Sequence, residues 1–130
     1  MSDVEKALGA LKYDENGLIP AVIVDSKTKA VLMVGYMNAD SLRGTIRTGK
    51  THYWSRSRKR LWMKGESSGH TQQVQAVYCD CDGDALVIEV IQRVAACHMG
   101  YMSCYFREYD AERDEFRVAE ERVFDPKKVY

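Results

Sequence analysis

Two short stretches of the chain hold most of the side chains able to do chemistry. Asp80-Cys81-Asp82-Gly83-Asp84 places an acid at every second position. If the segment is extended, this spacing projects all three carboxylates from one face, with Cys79 and Cys81 pointing to the other. Three close carboxylates repel unless protons or a cation neutralise them. A hard dication such as Mg2+, which takes oxygen ligands and often keeps waters, is the economical partner. A calcium loop is excluded, because the sixth position from Asp80 is Ala85 rather than glycine and the twelfth is Ile91 rather than glutamate. The plain alternative is a solvated turn whose acids face water.

The second stretch carries thiols. All four cysteines, Cys79, Cys81, Cys97 and Cys104, fall within one short part of the chain. Structural disulfides are uncommon in a reducing cytosol, so clustered thiols read as metal ligands or redox groups, although any one of them could pack as a small hydrophobe. No Cys-x-x-Cys pair is present, which argues against thiol-disulfide exchange. Fifteen residues separate Cys81 from Cys97 and six separate Cys97 from Cys104, and neither is a zinc-finger spacing. Three thiolates around zinc leave a position for an acidic water, whereas four close the metal into a structural role; spacing alone leaves Cys79 undecided between the two. His98 directly follows Cys97 and is the best-placed acid/base, since imidazole has a reference pKa of about 6.5. His70, after Ser67-Ser68-Gly69, is a second polar candidate, and His52 reads equally well as strand packing.

A third feature is a basic window. Between Ser41 and Gly65 stand Arg43, Arg47, Lys50, Arg56, Arg58, Lys59, Arg60 and Lys64, with no acid among them. Ser55, Ser57, Trp54 and Trp62 add hydroxyl donors and flat surfaces, a combination suited to phosphates and a heteroaromatic base. Non-specific RNA binding through this window is the rival from another class; it requires steep salt dependence and no small-molecule turnover.

The whole-chain properties bound these readings. At 130 residues, 45% hydrophobic and 29% charged, the chain has the length of one domain with one core. Lys plus Arg and Asp plus Glu both total 19, so no net field draws it to nucleic acid or membrane. The longest apolar stretches, Ile19 to Val24 and Ala30 to Tyr36, are far short of the roughly 20 residues of a membrane span. Residues 1–11 contain Asp3 and Glu5 and lack the basic start and apolar run of a secretory signal, so a cytoplasmic location is expected.

The elements that must position these groups are mostly strands. The runs 19–25 and 30–36 are rich in β-branched residues and flank Ser26-Lys27-Thr28-Lys29, which predicts a hairpin. Asn38 as N-cap, Leu42 and Ile46 four apart, and Gly49 as a stop predict a helix over about 39–48. Short extended pieces are expected at 51–54, 61–64, 72–79, 85–92 and 104–108. Val74, Ala76 and Tyr78 should share one face, as should Leu86, Ile88 and Val90. The acid-rich segment from Asp110 to Glu115 reads as a helix or a frayed tail. The expected class is α+β: a mostly antiparallel sheet with one or two short helices in a single domain, residues 1–130.

Several strings in this order resemble one family. Asn16-Gly17-Leu18-Ile19-Pro20-Ala21, Gly35-Tyr36-Met37-Asn38, Tyr53-Trp54-Ser55-Arg56-Ser57-Arg58, Leu61-Trp62-Met63-Lys64-Gly65-Glu66-Ser67-Ser68-Gly69-His70, the Asp80 to Asp84 run, and Ala96-Cys97-His98 through Ser103-Cys104 are similar to the phosphoribosyl-AMP cyclohydrolases of histidine biosynthesis. The likeness spans about 16–107 and leaves 108–130 as an acid-rich extension; nothing resembling the fused pyrophosphohydrolase domain follows, which suggests the stand-alone form.

The resemblance implies an intertwined homodimer, with zinc held by Cys81 of one subunit together with Cys97 and Cys104 of the other, and Mg2+ held by Asp80, Asp82 and Asp84. It leaves Cys79 outside the ligand set. It implies hydrolytic opening of the adenine ring of phosphoribosyl-AMP by zinc-activated water with Mg2+ assistance. His98 and His70 would be the catalytic histidines, and Ser55, Arg56, Ser57, Arg58, Trp62 and Lys64 would bind substrate. No nucleic-acid or membrane partner is implied. Arg93-Val94-Ala95 differs from the glycine-containing turn common before the metal cysteine in that family.

Overall fold

The computed structural model describes residues 4–130. Strands β1 (Ile19–Asp25) and β2 (Val31–Met37) form the expected hairpin. Its turn is set by Asp25, whose Oδ2 accepts from the Thr28 amide at 2.9 Å and the Thr28 hydroxyl at 3.0 Å. Burial alternates strictly along β1, with Ile19, Ala21 and Ile23 facing inward.

Helix α2 (Ala39–Thr48) begins with a reciprocal cap: Asn38 Oδ1 accepts from the Ser41 amide at 2.8 Å, and Ser41 Oγ accepts from the Asn38 amide at 2.9 Å. It ends at Gly49, which adopts the left-handed conformation that glycine takes without steric cost. Leu42 is buried, but Ile46 is exposed. The inward face is completed by Thr45 instead, whose hydroxyl donates to Ser41 O at 2.8 Å and accepts from the His52 amide at 2.9 Å. The His52 ring lies 2.8 Å from Lys50 O, a local structural contact.

The remaining main elements are β3 (His52–Ser55), β4 (Arg60–Met63), β5 (Gln72–Cys79) and β6 (Leu86–Gln92). The sheet of four has the order β2-β1-β6-β5, while β3 and β4 make a separate antiparallel ribbon. Most ladders are antiparallel as expected, but β1 and β6 run parallel. Hydrophobic alternation reports which face is buried and not which way a neighbour runs, so sequence reading misses this pair. A bulge in β5 also breaks the expected shared face: Val74 stands opposite Val90, but Ala76 stands opposite Glu89 and Tyr78 opposite Val87.

One face of the sheet carries the core. Ile19, Ala21, Ile23, Leu32, Met37, Leu42, Tyr53, Leu86, Ile88 and Val90 are buried together, each large aliphatic side chain contributing about 1.5–3 kcal/mol. Gly35 belongs here for reasons of space, since a Cβ at this position would lie 2.5 Å from the ring of Tyr53. On the opposite face the register aligns Val34, Val22, Val87 and Tyr78 across all four strands, and all but Val22 are exposed.

Helix α1 (Val4–Gly9), which sequence reading did not anticipate, packs Val4 and Leu8 into the core, and Arg43 of α2 holds Glu5 at 2.6 Å. Beyond β6 the expected strand at 104–108 starts later. Strands β7 (Arg107–Asp110) and β8 (Glu115–Val118) form a hairpin where a helix or frayed tail was predicted. The acids there build the turn: Asp110 Oδ1 accepts from the amides of Glu112 and Arg113, a local bonding pattern that competes with helix formation. A 3-10 turn, Pro126–Lys128, follows. Among the described residues, no helix is long and apolar enough to cross a membrane.

Candidate active site

The β3–β4 ribbon forms one wall of a cavity of about 350 Å³. Of the residues singled out in the sequence, Ser55, Arg58, Arg60, Trp62, Lys64 and His98 line it. Trp62 is held by its cross-strand neighbour Tyr53, with ring centres 4.8 Å apart, and Tyr53 is itself fully buried. The 65–70 loop then bends tightly. Gly65 has φ +82°, and a Cβ there would lie 2.6 Å from the His70 carbonyl carbon and the Thr71 nitrogen.

Arg56 and Ser57 do not line the cavity. The Arg56 guanidinium lies 3.9 Å from the centre of the Tyr36 ring, a cation-π contact. The Ser57 hydroxyl stands 3.4 Å from that of Ser55, which also accepts from the Arg58 amide at 3.2 Å. These bonds close the turn between β3 and β4.

The cysteines divide into two groups. Cys97 and Cys104 lie near enough for each thiol to feel the other's charge. The Cys104 thiol is pushed up to about 11 by burial of its sulfur and by the neighbouring Cys97, while Lys64 pulls it the other way. Lys64 donates to Ala96 O at 2.6 Å, and burial lowers its own pKa against the opposing pull of the two thiols. The Cys97 turn is closed by Gly100 N donating to Cys97 O at 3.1 Å, and the Met99 amide donates to Cys97 Sγ at 3.4 Å. Cys104 is anchored through its amide to Leu32 O at 2.8 Å, and the Ser103 hydroxyl donates to Val31 O at 2.7 Å. Cys97 is buried while Cys104 is exposed as a residue; Cys79 and Cys81 are exposed at the β5–β6 turn, and Cys81 does not join Cys97 and Cys104 in a three-ligand group within the chain.

The acids at that turn do come together, though not by strand alternation. Residues 80–84 form a tight turn rather than an extended segment. Gly83 N donates to Asp80 O at 3.1 Å, the Asp84 amide donates to Asp80 Oδ1 at 3.0 Å, and Gly83 has φ +70°. Ligand atoms of Asp80, Asp82 and Asp84 consequently lie within 4.8 Å of one another, the one such group among the described residues. Asp84 is raised by its hydrogen bond to Asp80 and by the charges of Asp80 and Asp82, while backbone amides lower Asp80. A crowded, exposed set of carboxylates fits an oxygen-preferring dication, and two opposed thiols beside a cation fit two ligands of a zinc ion.

His70 lies behind the cavity rather than on its lining. It is 7% exposed, its Nδ1 is buried without a partner, and the edge of Phe124 meets it at 4.9 Å between ring centres. Burial lowers its pKa, reinforced by Lys64 and Arg93, which keeps the imidazole neutral near pH 7.

Sequence reading missed the groups that hold these pieces in place. Gln72 is fully buried; its Oε1 accepts from the hydroxyls of Thr51 and Tyr53, and its Nε2 donates to Gln92 Oε1 at 2.8 Å. Gln92 Nε2 in turn lies 3.2 Å from both His70 O and Ala95 O, bridging the His70 loop and the residues that lead into Cys97. Two glutamines on strands give no sequence signal of this role. Tyr130, which also lines the cavity, was equally hidden at the far end of an acid-rich segment.

This arrangement joins a basic, aromatic-walled cavity to a histidine beside paired thiols, and the same combination carried the family resemblance. The phosphoribosyl-AMP cyclohydrolase family model matches residues 33–106. The chain is 50% identical over 123 residues to the phosphoribosyl-AMP cyclohydrolase of Methanococcoides burtonii, covering 95% of this chain and 98% of that protein. It is 53% identical over 123 residues to that of Methanothermobacter thermautotrophicus, covering 92% and 88%. With the protein of that name from Chlorobaculum parvum it shares 44% identity over 129 residues, covering 98% and 93%. Likeness at this level, sustained over nearly the whole of both chains, means that this chain belongs to the phosphoribosyl-AMP cyclohydrolase family of hydrolases.

Proposed function

We propose that the chain hydrolytically opens the adenine ring of 1-(5-phosphoribosyl)-AMP in histidine biosynthesis, acting as a homodimer with zinc and Mg2+. The observation that carries this reading is the cavity itself, where Arg58, Ser55 and Trp62 share one wall system with His98, the residue next to Cys97. Cys97 and Cys104 of one subunit with Cys81 of the partner subunit would hold zinc. The separation of Cys81 from the other two within one chain supports a site shared between two chains. The exposed row Val34, Val87 and Tyr78 supplies apolar surface for a second copy to cover. Asp80, Asp82 and Asp84 would hold Mg2+ and so offset the charge of the substrate phosphates.

Held by Cys97 and Cys104 with Cys81 of the partner subunit, zinc would lower the pKa of a bound water toward neutrality. The substrate's second phosphoribosyl group, on ring nitrogen one, makes the adjacent carbon six electron-poor. Water adds at that carbon, the bond from nitrogen one to carbon six breaks, and the formimino-imidazole carboxamide is released. His98 takes the water's proton and delivers it to the departing nitrogen. Trp62 offers a flat wall to the base, and Arg58 and Ser55 face a phosphate, with Arg56 and Ser57 in the same turn. Lys64, tied to Ala96 O, places its charge toward the thiols and keeps the Cys97 loop in register. His70 stays neutral behind the lining and serves as a packed support for it.

Supplying zinc-quantified protein with phosphoribosyl-AMP should produce the ultraviolet change of ring opening. His98→Ala should retain zinc yet turn over about a hundredfold more slowly or worse, the usual range for a lost acid/base. Near-normal turnover in that variant would remove His98 from the mechanism.

A further inference from the structure

Residues 122–130 run back to the turn that carries His98 instead of ending free. The Val123 amide donates to Gly100 O at 2.7 Å, and Arg122 Nε donates to Met99 O at 2.9 Å. The fit at Gly100 is close: φ is +99°, and a Cβ there would lie 2.5 Å from Phe124 O and 3.2 Å from Pro126. Asp125 caps the 3-10 turn through the Lys127 amide at 3.0 Å, and the Tyr130 amide donates to Pro126 O at 2.9 Å. These bonds place Tyr130 beside both of the histidines singled out above. Its ring centre is 6.3 Å from that of His70 and 6.4 Å from that of His98, and its plane is nearly perpendicular to both, at 86° and 89°.

A segment that served only to cover apolar surface would bury its aromatic rings. Phe124 is half-buried against His70, but Tyr130 remains 57% exposed and lines the same cavity as Trp62. An open ring fixed by its backbone beside an acid/base is arranged to meet a ligand.

Resting on the reading of the cavity as a phosphoribosyl-AMP site, we propose that Tyr130 is a specificity-determining residue that gives the purine ring a second aromatic wall in addition to Trp62. The 122–130 segment is the strap that delivers it. The contribution comes from the ring face, so the phenolic hydroxyl is dispensable.

The test compares Tyr130→Ala and Tyr130→Phe with the unaltered protein, with zinc content and melting temperature measured in parallel. Tyr130→Ala should raise KM for phosphoribosyl-AMP about tenfold, the effect expected of losing one base-aromatic contact, while kcat stays within about threefold and zinc content is unchanged. Tyr130→Phe should restore KM. A KM within twofold of the unaltered protein in Tyr130→Ala overturns the proposal, as does a fall in kcat alone, which would make the ring a support for His98 and not a contact of the base. Titration with AMP separates this proposal from the activity on which it rests. If the unaltered protein fails to open phosphoribosyl-AMP, the proposed reaction falls. Weaker AMP binding by Tyr130→Ala would still uphold the aromatic wall, and equal binding would overturn it.

Discussion

The acidic turn and the cysteine loop are assembled in opposite ways. Asp80, Asp82 and Asp84 converge chiefly through bonds made within the turn, from Gly83 N and Asp84 N back to Asp80, with one distant tie where the Lys12 amide donates to Gly83 O at 2.7 Å. They remain exposed, and their cost is mutual repulsion. Cys97 and Cys104 depend on distant partners: Lys64 at Ala96, Leu32 at Cys104, Val31 at Ser103, and the Gln72–Gln92 pair at Ala95. A cluster built from neighbours in sequence can sit at the surface and be tuned by charge. One built from distant loops needs a buried polar frame, and damage to that frame spreads.

The sharpest way to break the contrast is Cys97→Ser, which should abolish zinc binding and activity together, whereas Cys79→Ser should keep both; metal analysis decides. Equal zinc loss in the two variants would point to a closed site of four thiolates and overturn the proposed zinc-activated water. The next effect is on stability. Gln92→Leu leaves His70 O and Ala95 O without the Gln92 donor and Gln72 Nε2 with only Met33 Sδ at 3.5 Å, and at about 1–3 kcal/mol for each unsatisfied buried carbonyl it should cost about 2–6 kcal/mol in denaturant unfolding. Asp82→Asn in the exposed turn removes one of the repelling charges, so it should leave the metal-free midpoint unchanged or slightly raised and weaken the stabilisation by added Mg2+. A comparable loss in both variants would mean that the turn is as deeply integrated as the loop.

The smallest effect concerns Val94, which enters the cysteine loop with φ +62°, a conformation unfavourable for a β-branched residue. Val94 lies in the Arg93-Val94-Ala95 stretch, where the resemblance anticipated a glycine-containing turn. Relief of about 1–3 kcal/mol of strain outweighs the entropy of about 0.5–1 kcal/mol that glycine adds to the unfolded chain. Val94→Gly should therefore raise the melting temperature by a few degrees; a lower one would show that the Val94 side chain, although 47% exposed, makes compensating contacts.

What was legible in the sequence follows the same division. The β1–β2 hairpin and helix α2 are specified by local signals, an alternating run, an Asn-Ser cap and a stop glycine, and they appear within a residue of where those signals put them. The aspartates also converge as expected, but through a turn instead of a strand, because alternating acids can meet by either route. The parallel β1–β6 pair, the β5 bulge and the β7–β8 hairpin were hidden because direction, register and turn chemistry depend on partners that periodicity does not name. The cavity residues of the ribbon were visible as a basic and aromatic string. Tyr130 was not, since its place depends on a return path of the chain pinned at Gly100.

Gly35 shows how far a single absent atom can reach. The ring of Tyr53 occupies the space that a methyl group would need, and Trp62 leans on that ring at the cavity wall. The width of the opening is thus gauged from a neighbouring layer of the fold, and the smallest possible enlargement of residue 35 would be transmitted through two tilted, touching rings to the wall proposed for the base.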